Sequence, residues 1–156
     1  MNPDELQNRD VKFFDEVFSQ ISKNYNIDLD RIYAVGHSNG SRFVNILWKM
    51  RPKKFAAFVT VAGPGGIWLK SAPQKSVWIS FGKNDKIVPY KIQKFSSKQY
   101  LKFFEANEST AQTNGEITSY QTSENKEIII EDRNAAHEFP QNSIPKMVEF
   151  FKRNLR

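Results

Sequence analysis

The sequence predicts an α/β fold: a mostly parallel sheet of four to five strands with helices on both faces. Three observations lead there. First, the runs Ile32-Tyr33-Ala34-Val35, Phe55 to Ala62, Val77-Trp78-Ile79-Ser80-Phe81 and Ile128-Ile129-Ile130 lack the alternation of a strand with one wet face. Second, the segments between them carry apolar residues at i, i+3, i+4 and i+7, the helical period. Strands buried on both faces that alternate with helices make a parallel sheet. Third, Gly36-His37-Ser38-Asn39-Gly40 sits where the first such strand meets a helix.

Each element has its own signal. Phe14, Val17, Phe18 and Ile21 predict an amphipathic helix over 8–24. Asn26 to Asp30 is a turn, and 31–35 is a buried strand. Phe43, Ile46, Leu47 and Met50 predict a helix that ends before Pro52. Residues 55–62 form the second strand, broken by Gly63-Pro64-Gly65-Gly66. The third strand covers 77–81. A helix is expected over 91–106, with Ile92, Phe95 and the Leu101 to Phe104 region facing inward. Residues 107–116 are polar and read as a loop, and 117–122 as an edge strand. Ile128 to Ile130 is another buried strand. Ile144, Met147, Val148, Phe151 and Leu155 predict a last helix, with Pro145 in the first turn, where a missing N–H costs nothing.

With 156 residues and 39% hydrophobic residues, the chain is expected to form one domain over 1–156. The formal charge of +6 invites a nucleic-acid reading. The lysines are scattered, however, and the densest run, Arg51-Pro52-Lys53-Lys54, falls at a predicted helix end, where cations complement the dipole. No nucleic-acid partner is expected. Cysteine is absent, which excludes disulfides and thiolate metal sites. Neither a metal nor a cofactor is expected. No apolar run approaches the roughly 20 residues of a membrane helix, so no membrane partner is expected. The polar start, Met1-Asn2-Pro3-Asp4-Glu5, does not read as a leader, and a cytoplasmic location is the expectation.

Ligands of such sheets bind beyond the carboxyl ends of the strands. Ser38 lies on that rim, in the G-x-S-x-G turn of a nucleophile elbow. A tight strand-to-helix turn lifts the serine clear of the sheet, and the glycines on either side leave room for the chain to pass. A serine hydroxyl is a weak nucleophile that needs a base, and the base needs an orienting group. The chain has two histidines. His37 adjoins the serine with its side chain expected to point away, as a structural or pocket-lining residue. His137 follows a predicted strand end and is the base candidate. Asp85, directly after the third strand, is the favoured acid. Asp132 is the rival, closer to His137 in sequence but on the strand body.

The segment from Asp10-Val11-Lys12-Phe13 through Tyr33 to Gly40 resembles polyhydroxybutyrate depolymerase-like and feruloyl-esterase-like carboxylesterases of the α/β-hydrolase superfamily. Ser38-Asn39-Gly40 matches that family's S-N-G turn. Gly82 to Tyr90 resembles its acid-bearing stretch, with Phe81 in place of the usual His. His137-Glu138-Phe139-Pro140 resembles its base motif, with Phe in place of Trp. The resemblance spans about residues 8–155. It implies a truncated, minimal α/β-hydrolase fold and a Ser38–His137–Asp85 triad that hydrolyses short-chain acyl esters through an acyl-enzyme. Two other readings remain: an acyltransferase with the same residues, and a catalytically weak remnant serving as an assembly module.

The family's earlier strands, with their glycine-rich oxyanion loop, have no counterpart before residue 8. The Asn39 N–H is the expected oxyanion donor. Loss of a second donor typically costs about 10²–10³ in rate. Gly63 to Gly66 is a candidate source for it, although Pro64 has no N–H. Without a long insertion the site is expected to be open, with Ile67 and Trp68 lining an acyl pocket or serving only as packing. The strand at 31–35 is expected at a sheet edge with unpaired backbone groups, which invites a homo-oligomer, most simply a dimer, or a separate polypeptide to cover it.

Overall fold

The computed structural model describes residues 3–156, with side chains from residue 9 onward; Met1 and Asn2, read above as part of a leaderless start, lie outside it. The chain runs α1 (Pro3–Asn24), β1 (Tyr33–His37), α2 (Asn39–Met50), β2 (Ala57–Val61), β3 (Ser76–Gly82), α3 (Tyr90–Phe103), β4 (Ala106–Asn114), β5 (Ile117–Thr122), β6 (Glu127–Arg133) and α4 (Ile144–Arg153). The strands form one sheet in the order β1-β2-β3-β6-β5-β4. Its first four members are parallel; β5 and β4 add an antiparallel hairpin.

That hairpin is where the sheet exceeds expectation. Residues 107–116 are not a loop but mostly strand β4, and 117–122 is an interior strand rather than an edge. β4 is stabilised by backbone ladder bonds while nearly all its side chains face water, so no apolar period marks it. Gly115, at φ 63, opens the two-residue loop Gly115-Glu116, and a glycine at the first loop position was the available hairpin signal.

One face of the sheet packs Phe58, Val77, Ile79, Phe81 and Ile128 against Val44, Leu47 and Trp48 of α2 and Tyr100 of α3. Trp48 stacks on Phe58 at 4.7 Å and on Phe104 at 4.8 Å between ring centroids. On this face α1 docks through Val11 and Phe14. The other face packs Ala57, Val59, Val61, Trp78 and Ile129 against Met147 and Phe150 of α4.

The inward face of α3 is the expected one only at its end, where Phe104 is buried and Leu101 and Phe103 pack against the core. Ile92 and Phe95 are 49% and 56% exposed, and the buried residues are Gln93, Ser96, Ser97 and Tyr100. Polar contacts decide the rotation. Gln93 reaches the carboxylate of Asp85, and the Ser96 hydroxyl accepts the N–H groups of Gly65 and Gly66 at 2.9 and 2.8 Å. These two N–H groups are therefore already engaged, which removes them as the replacement oxyanion donors considered above.

Candidate active site

The turn after β1 holds the first site residue. Ser38 has φ 55 and ψ −116, a conformation that costs a non-glycine residue about 1–3 kcal/mol. The surroundings enforce it. Ser38 N–H donates to Val61 O at 2.8 Å, and Ser41 N–H donates back to Ser38 O at 3.0 Å. Ser41 Oγ accepts from Val61 N–H at 2.9 Å and has the carbonyls of Val61 and Gly36 within donating reach, at 2.6 and 2.8 Å. A Cβ on Gly36 would collide with the Gly40 carbonyl, whereas one on Gly40 would meet nothing within 4 Å. Of the two glycines flanking the serine, only Gly36 is required by packing.

Asp85 and His137 come from the loops after β3 and β6, neighbouring parallel strands. His137 Nδ1 donates to Asp85 Oδ2 at 2.8 Å. The same oxygen accepts Gln93 Nε2 at 2.9 Å, and Oδ1 accepts the N–H groups of Ile87 and Val88, each at 2.8 Å. The Asp85 side chain is fully buried. Burial pushes its carboxyl up, yet the hydrogen bonds from His137, Val88, Ile87 and Gln93 outweigh it and hold the group below its ordinary value. With Nδ1–H pointed at Asp85, the imidazole keeps Nε2 as an acceptor.

The ring of His37 lies 4.9 Å from that of His137 and 6.4 Å from Phe139. Among the described residues, its buried Nε2 has no hydrogen-bond partner. Burial, then the neighbouring His137, keeps its pKa below the usual imidazole value. Asp132, the rival acid, accepts from the Tyr90 hydroxyl at 2.8 Å and stands 4.0 Å from the amines of Lys83 and Lys94; the carboxylate that His137 meets is that of Asp85. Asn39 heads α2, where first-turn N–H groups have no intrahelical acceptor.

Ile67 and Trp68 sit on a short 3₁₀ turn, Gly66–Leu69, and are 57% and 40% exposed. Trp68 lines a hollow of about 430 Å³ with Asn45, Ile46, Lys49 and Met50. That hollow begins about 10 Å along the α2 axis from the elbow. Gln93, Ser41 and the Ile87 and Val88 amides are site groups that sequence reasoning missed. A polar residue at an inward helical position marks Gln93, and an aspartate two and three residues before N–H donors is the signature of an Asx turn. Among the described residues, no group of three or more His, Cys, Asp or Glu could hold a metal, and no helix is long and apolar enough to cross a membrane.

A sequence profile of the prolyl oligopeptidase family matches residues 4–110. Acetylxylan esterase A of Aspergillus oryzae is 37% identical over 60 residues, 38% of this chain and 20% of that protein. A bifunctional acetylxylan esterase/xylanase of Neocallimastix patriciarum is 31% identical over 94 residues, 59% of this chain and 14% of that protein. The matched stretches thus span a fifth or less of these relatives. Among solved structures, an acetyl xylan esterase from Aspergillus awamori superposes with a TM-score of 0.69 at 17% identity, covering 90% of this chain and 66% of that one. The Bacillus cereus carboxylesterase gives 0.65 at 18% identity, covering 97% and 63%. At such identities the likeness speaks for the fold, which is that of the α/β-hydrolases.

Proposed function

The chain belongs to the prolyl oligopeptidase family, and from that premise we propose that it is a serine carboxylesterase hydrolysing short-chain acyl esters. Ser38 attacks the ester carbonyl. His137 Nε2 takes the hydroxyl proton and later returns it to the leaving alcohol. Asp85 orients the imidazole and stabilises its cation. The Asn39 N–H, at the positive end of α2, holds part of the oxyanion. Water then hydrolyses the acyl-enzyme.

The observation that carries this reading is the 2.8 Å bond from His137 Nδ1 to a buried Asp85, on the same rim as a serine held at φ 55. The acetyl esters named in the relatives fit a short acyl group. Hydrolysis of p-nitrophenyl acetate by wild type and Ser38→Ala tests it: equal rates in the two proteins end the proposal. Product analysis with added alcohols separates hydrolysis from acyl transfer. Labelling of Ser38 by a fluorophosphonate separates both from an inert assembly module.

The same reading includes a dimer. β1 is an edge of the sheet and, among the described residues, pairs with β2 alone; Val35 on it is 50% exposed. Phe13 and Val17 of α1 and Phe43 of α2 line an apolar hollow of about 360 Å³. A second copy pairing along β1 satisfies the edge and covers Val35. Light scattering checks it: a monomer at all concentrations, with full activity, defeats the dimer.

A further inference from the structure

Arg133, the last residue of β6, carries a guanidinium that is almost wholly buried: its side chain is 8% exposed. Burying such a charge costs several kcal/mol unless it is well paired. Its pairing is poor. The carboxylate facing it, on Glu138, is 3.8 Å away and 63% exposed. What the group does make are two bonds to neutral acceptors. Nε donates to Ser80 Oγ on β3 at 2.9 Å, and Nη2 donates to the backbone carbonyl of Glu138 at 2.7 Å.

Glu138 directly follows His137. The chain ahead of the histidine is well tied: Ala135 O accepts Asn84 N–H at 3.0 Å, and Asn134 N–H reaches Glu116 Oε1. Behind it the ties are few. Among the described residues, the backbone of 137–139 has local bonds, from Glu138 N–H to Ala136 O and from Gln141 N–H to Phe139 O, and otherwise the Arg133 bond alone. The Arg133 backbone meanwhile accepts Lys83 N–H at 2.8 Å, in the loop that leads to Asp85. One residue therefore touches both loops whose side chains meet at the His137–Asp85 bond.

We propose that Arg133 is a positioning residue: its planar fork, anchored on Ser80, clamps the peptide after His137 and sets the imidazole on the line between Asp85 and Ser38. Lysine cannot replace it, because a single ammonium lacks the rigid two-armed reach from β3 to the loop. The catalytic consequence rests on the esterase reading; the effect on the imidazole does not.

The test uses Arg133→Ala, Arg133→Lys and Ser80→Ala in the full chain. Two measurements are made: steady-state hydrolysis of p-nitrophenyl acetate, and the proton NMR resonance of the His137 Nδ1–H, which low-field position and loss in His137→Gln identify. Misplacement of a supported group typically costs about 10–100-fold. We expect kcat to fall by that factor in Arg133→Ala and Arg133→Lys with KM nearly unchanged, the resonance to broaden or vanish in both, and added guanidinium to restore part of each in the alanine variant. Ser80→Ala, which removes only the Nε acceptor, should show a smaller loss in the same direction. Unchanged kcat and an intact resonance in a folded Arg133→Ala overturn the proposal, as does full activity in Arg133→Lys. If Arg133→Ala does not fold, Ser80→Ala decides, and wild-type behaviour in it overturns the proposal. A wild type inactive on esters removes the esterase reading, while the resonance still tests the clamp.

Discussion

Asp85 meets His137 only after its carboxylate has been filled from elsewhere: three other donors, the Ile87 and Val88 amides and Gln93 Nε2, occupy it at 2.8 to 2.9 Å. The fourth bond, at 2.8 Å, goes to His137 Nδ1. A carboxylate so satisfied has no free rotation and no call on solvent, so the imidazole is held in one tautomer by a fixed acceptor.

Asp85→Asn keeps the shape and loses the charge, and the amide NH₂ favours the wrong tautomer. We expect kcat to drop about 10⁴-fold, measured with p-nitrophenyl acetate. The lowered pKa also has a thermodynamic consequence. A carboxyl whose folded pKa lies below its ordinary 3.8 adds stability that is present above that value and disappears as pH falls through the folded pKa. Denaturant unfolding at pH 7 and at pH 3 and below should therefore show the gap between wild type and Asp85→Asn closing in acid. A gap that widens in acid contradicts the assignment.

Gln93→Leu leaves the Asp85 Oδ2 with one donor fewer inside the protein. Hydrogen bonds to charged groups contribute about 1.5–3 kcal/mol. The variant should lose that much stability, and kcat should fall about 10-fold or more, as for other lost supports of a functional ligand. Urea melts and steady-state rates in parallel decide it.

Ser38→Gly should separate stability from activity. Glycine adopts φ 55 freely, so the strain of about 1 kcal/mol or more is relieved. We expect the Tm to rise by about 2–4 °C while fluorophosphonate labelling and ester hydrolysis disappear.

The two glycines of the turn should respond oppositely to alanine. Gly36→Ala places a Cβ against the Gly40 backbone, in a turn tied at both ends, and should yield little soluble protein. Gly40→Ala meets open space in the first turn of α2 and should fold with equal or greater stability. Expression yield and thermal melts of the pair check this.

The parallel strands, and the placement of Ser38, Asp85 and His137 just past strand ends, were legible because each rests on a local signal: continuous apolar runs, a five-residue turn, and loops directly after strands. The first two turns of α3 were not, since Gln93 and Ser96 are buried by partners distant in sequence, Asp85 and the Gly65-Gly66 amides, while the apolar Ile92 and Phe95 face out. β4 was hidden because its ladder depends on the backbone rather than on side-chain pattern. Arg133 carries no local signal; the register of β3 against β6, which sets Gly82 opposite Arg133, brings its guanidinium to Ser80 and to the Glu138 carbonyl.

The bonds around Ser41 have a further outcome. That hydroxyl stitches α2 to both β1 and β2 beneath the strained turn, so the elbow cannot breathe without pulling two strands apart. Its amides should exchange with deuterium only when the whole molecule opens, whereas those of the β4–β5 hairpin should exchange early. The most contorted stretch of backbone would then be among the most persistent.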